Sequence, residues 1–201
     1  MSNKIVLSAV IFLSGFWSIA QAQDRIVVEG VSVSVEMAMP EFHDLQGSTT
    51  HEGADQYDDI QISYIEITSN EEFYGEATGY FTIEITEGGS VPLNEAVGGL
   101  MGGFMNQAGN VCEIDTSEWE FLERNEMRVT AIFPCMHRAR SRSRGELLVL
   151  SFLKTETAII GIYQVWIGKN FAQNDRENWP ASEAQIDEFL TQISNSVITE
   201  N

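Results

Sequence analysis

Two nearly continuous apolar segments constrain the fold of this chain more than any other feature. They occupy residues 146–153 and 158–167, and a short polar turn at 154–157 joins them. Unbroken apolarity over such lengths is typical of strands that are covered on both faces. We therefore expect these segments to form a hairpin of central strands in a sheet.

Four other segments alternate apolar and polar residues, which predicts strands with one buried and one exposed face. Their apolar positions are Val31, Val33, Val35 and Met37; Ile60, Ile62 and Tyr64; Phe81, Ile83 and Ile85; and Met127, Val129, Ala131 and Phe133. After Tyr64 the apolar positions shift parity to Ile65 and Ile67, and a β-bulge there would explain the shift. Residues 40–59 are polar, so we expect a loop.

Two segments change to helical spacing. Between Pro92 and Gln107 the apolar residues recur on one stripe, and four glycines add a strip that would let another backbone approach closely. Ser182 and Gln185 have the spacing of a capping box, ahead of a second apolar stripe. The order of elements predicts a single α+β domain over 23–201: a largely antiparallel sheet with a mid-chain helix and a C-terminal helix packed on it. The apolar stripe that follows this capping box consists of Ile186, Phe189, Leu190, Ile193 and Val197.

The N-terminus has the features of a secretory signal peptide. Lys4 precedes a largely apolar run at 5–20, and Ala20-Gln21-Ala22 has the small-x-small pattern of a cleavage site. The run is too short to span a bilayer comfortably. No N-x-S/T glycosylation acceptor occurs in the chain. We expect residues 1–22 to be removed and the mature protein to be periplasmic or secreted in a bacterium, without stable membrane insertion.

The charge of the chain excludes one class of partner. It has 30 acidic and 11 basic residues, for a formal net charge of −19. That charge opposes adhesion to nucleic acid and to anionic lipid. The acids are scattered through the chain, as on a solvated surface. We therefore expect no nucleic-acid partner.

The two cysteines, Cys112 and Cys135, are predicted to form a disulfide, because export takes them into an oxidising compartment. If the chain folds back on a turn near residues 123–124, the cysteines lie opposite each other on antiparallel strands. The closed loop would then contribute roughly 3 kcal/mol to stability. A metal site with thiolate ligands is the alternative.

Four arginines form the sharpest local contrast in this acidic chain. Arg138, Arg140, Arg142 and Arg144 alternate with small residues in a predicted hairpin loop. In an extended backbone their guanidinium groups would face one way and could bind anionic groups. We interpret them as a candidate contact for an acidic partner protein or another anion. A solvated loop neutralised by neighbouring carboxylates is the other interpretation.

Sulfur and imidazole ligands of the kind that copper prefers occur in two places. Met37, Met39 and His43 lie near the N-terminus of the mature chain, and His137 follows Cys135 by two positions. Met37 also completes the alternation of valines, which favours a place in the core. We therefore predict no resident metal and no other cofactor, and keep a periplasmic copper-handling protein as the alternative function.

No catalytic motif is evident. The chain lacks the G-x-S-x-G, H-E-x-x-H, P-loop and EF-hand patterns. His51-Glu52 has the opening of a zinc-protease motif, but the second histidine is missing and Gly53 falls where that motif needs a helix. We therefore predict that the protein is not an enzyme.

The last third of the chain resembles the closing strand and terminal helix of PsbP-like proteins, the extrinsic photosystem subunits and their bacterial relatives. The resemblance rests on Ala158-Ile159-Ile160-Gly161-Ile162-Tyr163-Gln164-Val165 and on Ala184-Gln185-Ile186-Asp187-Glu188-Phe189-Leu190. The early strand at 31–37 and the mid-chain helix fit the same order of elements. The resemblance implies an α/β/α sandwich and an accessory role, and it transfers no site residue. Together these features predict an exported, non-enzymatic binding or assembly protein that acts through protein–protein contact.

Overall fold

Most of the apolar and alternating segments fold as strands of one large antiparallel sheet. The computed structural model describes residues 25–40, 48–57, 59–69, 75–85, 92, 98–99, 112–113, 120–137, 144–172 and 174–200. The strands are β1 (Arg25–Glu29), β2 (Val33–Ala38), β3 (Thr49–Tyr57), β4 (Ile60–Thr68), β5 (Gly75–Ile85), β6 (Cys112–Glu113), β7 (Glu120–Arg124), β8 (Arg128–His137), β9 (Arg144–Lys154), β10 (Ala158–Lys169) and β11 (Val197–Glu200). The large sheet has eight strands in the order β3-β4-β5-β10-β9-β8-β6, with β7 also paired to β8, and a small sheet has the order β1-β2-β11.

The two apolar segments form β9 and β10 at the centre of the large sheet, which confirms their predicted place. Leu147 packs into the core on one face of the sheet, and its neighbour Leu148 into the core on the other. Ile160 and Ile159 of β10 divide between the two faces in the same way. Because neither face of these strands is wet, their sequence shows no polar alternation.

The small sheet and a C-terminal helix cover one face of the large sheet. Val33, Val35 and Met37 of β2 point into the core between the sheets and are at most 2% exposed. The helix α1 (Glu183–Ser194) adds its buried stripe to the same core. The ring of Phe189 meets Trp166 of β10 edge-on, with centroids 6.0 Å apart.

Glu84 of β5 ties the turn between β1 and β2 to the large sheet. Its carboxylate accepts hydrogen bonds from the backbone N–H groups of Val31 and Ser32 and from the Ser32 hydroxyl, each at 2.6 Å. The turn can approach this closely because Gly30 has no side chain; a Cβ there would overlap the carboxylate. Glu84 is 2% exposed, so the contact is internal to the fold.

The helix α1 begins where the sequence predicts. The Ser182 hydroxyl accepts a hydrogen bond from the Gln185 N–H at 3.3 Å, and the Gln185 side-chain oxygen accepts one from the Ser182 N–H at 3.0 Å. This is the predicted capping box. Val197, assigned to the apolar stripe, instead belongs to β11 and is 46% exposed.

The predicted α+β class is wrong, because the described residues are mostly β-structure with a single complete α-helix, α1. The predicted mid-chain helix lies outside the described residues except at Pro92, Gly98 and Gly99, of which the two glycines have helical backbone. The α/β/α sandwich implied by the PsbP-like resemblance is wrong as well. A second sheet and α1 together cover one face of the large sheet. This second sheet forms because β1 and β11, at the two ends of the described chain, both pair with β2.

Two predictions near β4 are also wrong. The segment 49–57 is a strand, β3, rather than part of a loop. Strand β4 pairs with β3 and β5 in unbroken register, so there is no bulge at Tyr64. The parity shift arises because Ile62 faces one core and Ile67 faces the other.

Candidate functional site

A row of opposed residues crosses four strands of the large sheet. His51 on β3 is opposite Glu66 on β4, Glu66 is opposite Gly79 on β5, and Gly79 is opposite Tyr163 on β10. Opposed residues in antiparallel strands share a face. Because Gly79 has no side chain, the ring of Tyr163 lies over its backbone, and a Cβ there would overlap the ring. The Tyr163 hydroxyl thereby reaches Glu66 and donates a hydrogen bond to Oε2.

The next row along the same face contains two aromatic rings that lean apart. Its opposed residues are Gly53 on β3, Tyr64 on β4, Phe81 on β5 and Gly161 on β10. The Tyr64 hydroxyl would lie 2.7 Å from a Cβ at Gly53, so this ring leans over β3. A Cβ at Gly161 would overlap the Phe81 ring, so that ring leans over β10. The glycines at the two ends of the row therefore leave a space between the rings.

A cavity of about 260 Å³ occupies this part of the sheet face. Side chains that line it are His51, Ile62, Tyr64, Glu66, Phe81 and Tyr163. The opposed pair Ile65 and Tyr80 also borders it, although both side chains pack into the core on the other face. We infer that their backbone forms the floor, since adjacent strand residues point to opposite faces.

Among the described residues that line the cavity, Glu66 is the only carboxylate, and there is no lysine or arginine. Burial, followed by the hydrogen bond to Glu66 and its negative charge, raises the pKa of the Tyr163 phenol well above its ordinary value. The phenol is therefore protonated at neutral pH and acts as a fixed donor to Glu66. A general acid or base works best with a pKa near the operating pH. The Tyr163 phenol is thus better suited to holding a ligand than to transferring a proton.

Sequence reasoning missed this site. Of its lining residues, only His51 has a functional interpretation from the sequence, as the opening of an incomplete zinc-protease motif. Tyr163 and Gly161 were visible in the apolar run of β10, where a glycine and a tyrosine interrupt aliphatic residues. That interruption was the available signal, but the partners of both residues depend on strand register, which local spacing does not reveal.

The predicted pairing of the cysteines requires a correction. Cys112 on β6 is opposite His137 of β8, so the predicted register is wrong by two residues. The turn falls at 125–127, beyond the predicted position, and the pairing of β7 with β8 shifts register along its length. The backbone of Cys112 therefore pairs two residues beyond the position of Cys135. Cys135 is buried, with 4% of its surface exposed. The side chain of Cys112 lies outside the described residues, and the disulfide stays a prediction.

The arginine segment follows β8, but Arg144, which was predicted to lie in the loop, already belongs to β9. Residues 138–143, with Arg138, Arg140 and Arg142, lie outside the described residues. The backbone of Arg144 begins β9 opposite Lys169, and its side chain is not described. The role of these arginines as a partner contact stays a prediction.

The candidate copper ligands do not form a site in the described part of the chain. Met37 is in the core between the sheets and Met39 packs against that core. His43 and the side chain of His137 lie outside the described residues. No group of three or more His, Cys, Asp or Glu side chains placed to hold a metal occurs among the described residues.

Comparison with protein-family models, with curated proteins and with solved structures finds no match to this chain. None of the described helices has the length and apolarity needed to cross a membrane.

Proposed function

We propose that this chain is an exported, non-enzymatic binding protein whose ligand enters the cavity between Tyr64 and Phe81. The observation that carries the proposal is the cavity itself, which the glycines opposite these rings hold open. Ligand sites are typically concave, mostly apolar, and supplied with a few polar groups that orient the ligand. The pair of Glu66 and Tyr163 supplies such polar groups at one end of the cavity.

The walls of the cavity are held by packing, which favours binding. The Phe81 ring meets Phe152 of β9 edge-on, with centroids 6.0 Å apart, and its centroid lies 6.5 Å from that of Tyr163. The strands that carry these rings pair in unbroken register. A site whose walls are already in place loses little conformational entropy on binding.

Mutation at the end of the cavity tests this assignment. Ile62→Trp places a larger side chain in the lining of the cavity. Ile60→Trp is the control, because it makes the same change two residues earlier on β4, on the same face but outside the lining. Ligand-observed NMR against a fragment collection of cations, anions and neutral compounds should yield binders of the mature protein. Ile62→Trp should lose them and Ile60→Trp should keep them. Binders that are unaffected by Ile62→Trp, or a complete lack of binders, would contradict the proposal.

Export is the second part of the proposal. The predicted signal peptide ends at residue 22, and β1 begins at Arg25, so cleavage would leave all the described strands intact. We expect the full chain, expressed in a bacterium, to yield a periplasmic or secreted product whose mass corresponds to a start at Gln23. An uncut product in the cytoplasm would contradict this part alone.

An accessory role with an acidic protein partner is compatible with this proposal. The arginine segment between β8 and β9 is the sequence's best candidate for that contact. Pull-down from a periplasmic extract with the wild type and with a variant in which the four arginines are alanine tests it; identical partners would remove this segment from consideration. A copper-handling function gains no support from Met37, because that thioether is used in the core.

A further inference from the structure

We propose that the cavity between Tyr64 and Phe81 recognises a small organic cation of the ammonium type. This inference rests on the proposed function and names the ligand class of the same site. Three observations support it. A carboxylate lies at one end of the cavity, aromatic side chains line the cavity, and the chain as a whole is strongly acidic.

The carboxylate of Glu66 supplies the opposite charge. Tyr163 donates to Oε2, and no other hydrogen bond to Glu66 occurs among the described residues, so Oε1 can accept one from a ligand. The Tyr163 phenol stays protonated at neutral pH, because its pKa is raised, and it therefore keeps donating to Glu66. His51 lies directly opposite Glu66 and lines the same end of the cavity. A cation therefore meets acceptors at this end of the cavity.

Three aromatic side chains, Tyr64, Phe81 and Tyr163, line the same space. A ligand cation close to aromatic rings is attracted by their quadrupoles, and aromatic cages bind quaternary ammonium groups in this way. An anionic ligand would instead face a carboxylate with no lysine or arginine among the described lining residues. A neutral apolar ligand would leave the Glu66 carboxylate without compensation.

Size and long-range charge agree with this class. The cavity of about 260 Å³ is smaller than the roughly 300–1,000 Å³ of sites for drug-sized ligands. The net charge of −19 raises the local concentration of small cations near the surface and speeds their association. A compact, positively charged molecule satisfies both conditions.

The experiment compares choline with its uncharged carbon isostere, which has the same shape and no positive charge. Isothermal titration calorimetry of the mature protein, in buffer whose ionic strength is matched with sodium chloride, should show choline binding about tenfold tighter than the isostere. Glu66→Gln should weaken choline binding about tenfold, and Tyr64→Leu about threefold. Circular dichroism checks that each variant is folded.

Glu52→Gln is the matched control, because it removes one exposed carboxylate from β3 next to His51. Glu52 is outside the cavity lining, so its loss changes the net charge equally without changing the site. Choline affinity that falls in Glu66→Gln and persists in Glu52→Gln supports the proposal. Equal binding of choline and the isostere, or no effect of Glu66→Gln, overturns it. Those outcomes leave the cavity intact as a binding site, whereas the Ile62→Trp comparison decides on the cavity itself.

Discussion

At the scale of single residues, glycines decide where the aromatic rings lie on the large sheet. Tyr163 covers Gly79, Phe81 covers Gly161, and the Tyr64 ring leans over the neighbouring strand. A ring that lies over the backbone of a neighbouring glycine buries area that this residue would otherwise leave uncovered. The cavity and the bond from Tyr163 to Glu66 are both consequences of this placement.

Two buried threonines of the large sheet give a prediction at the same scale. Thr82 of β5 has a hydroxyl with no hydrogen-bond partner among the described residues, whereas the Thr130 hydroxyl lies 2.9 Å from that of Ser151. Thr82→Val should therefore raise the free energy of unfolding by about 1 kcal/mol, and Thr130→Val should lower it by a similar amount. Urea denaturation of both variants measures the difference. Equal destabilisation would show that the Thr82 hydroxyl is satisfied in solution.

At the scale of secondary-structure elements, composition predicted the strands whose surroundings are uniform along their length. Strands β9 and β10 are covered on both faces, and their sequences are apolar runs. The start of α1 is predicted by its capping box. Strand β3 lies at the edge of the sheet with mostly exposed, polar side chains. It therefore has no apolar periodicity to detect. Because β3 could not be predicted, the register across β3, β4, β5 and β10 could not be predicted either. The candidate site depends on that register.

Strand β4 shows why alternation alone can mislead. Its first half contributes apolar side chains to one core and its second half to the other. A change of parity then looks like a bulge, although the backbone pairing is regular. The signal was real, but its cause was the covering of two faces by different neighbours, which is a tertiary property.

The hairpin of β1 and β2 depends on one side chain of another strand. Glu84→Gln replaces a carboxylate that accepts three hydrogen bonds and should lower the free energy of unfolding by about 2 kcal/mol. Hydrogen exchange should become faster in β1, β2 and β11 than in β9 and β10, because the small sheet loses its anchor. Glu29→Gln, an exposed change at the end of β1, is the control. A uniform increase across both sheets would contradict a local anchor.

At the scale of the whole molecule, buried phenols set an upper pH limit on stability. Burial raises the pKa values of Tyr80 and Tyr163 well above their ordinary value, so the folded state holds these protons more tightly than the unfolded state. Their contribution is complete below about pH 10 and is lost as pH rises above it. We expect two of the five tyrosines to ionise only when the protein unfolds in alkali, as followed by tyrosinate absorbance.

Tyr80→Phe isolates one of the two groups. Its hydroxyl has no hydrogen-bond partner among the described residues, so the variant loses a titrating proton without losing a bond. The fall in unfolding free energy with pH above 10 should be about half as steep as in the wild type, since one of two linked protons is removed. An unchanged slope would mean that Tyr80 ionises within the folded protein.

The last prediction joins export to the stability of the sheet edge. The backbone of Cys112 on β6 pairs with β8 two residues beyond Cys135, and a bond between the cysteines would close a loop worth roughly 3 kcal/mol. The exported protein should therefore contain no titratable thiol, and a reducing agent should lower its midpoint of thermal unfolding. The double variant Cys112→Ser, Cys135→Ser should have the lower midpoint from the start and should not respond to the reducing agent. Two free thiols in the unreduced exported protein would rule out the disulfide and reopen the thiolate alternative.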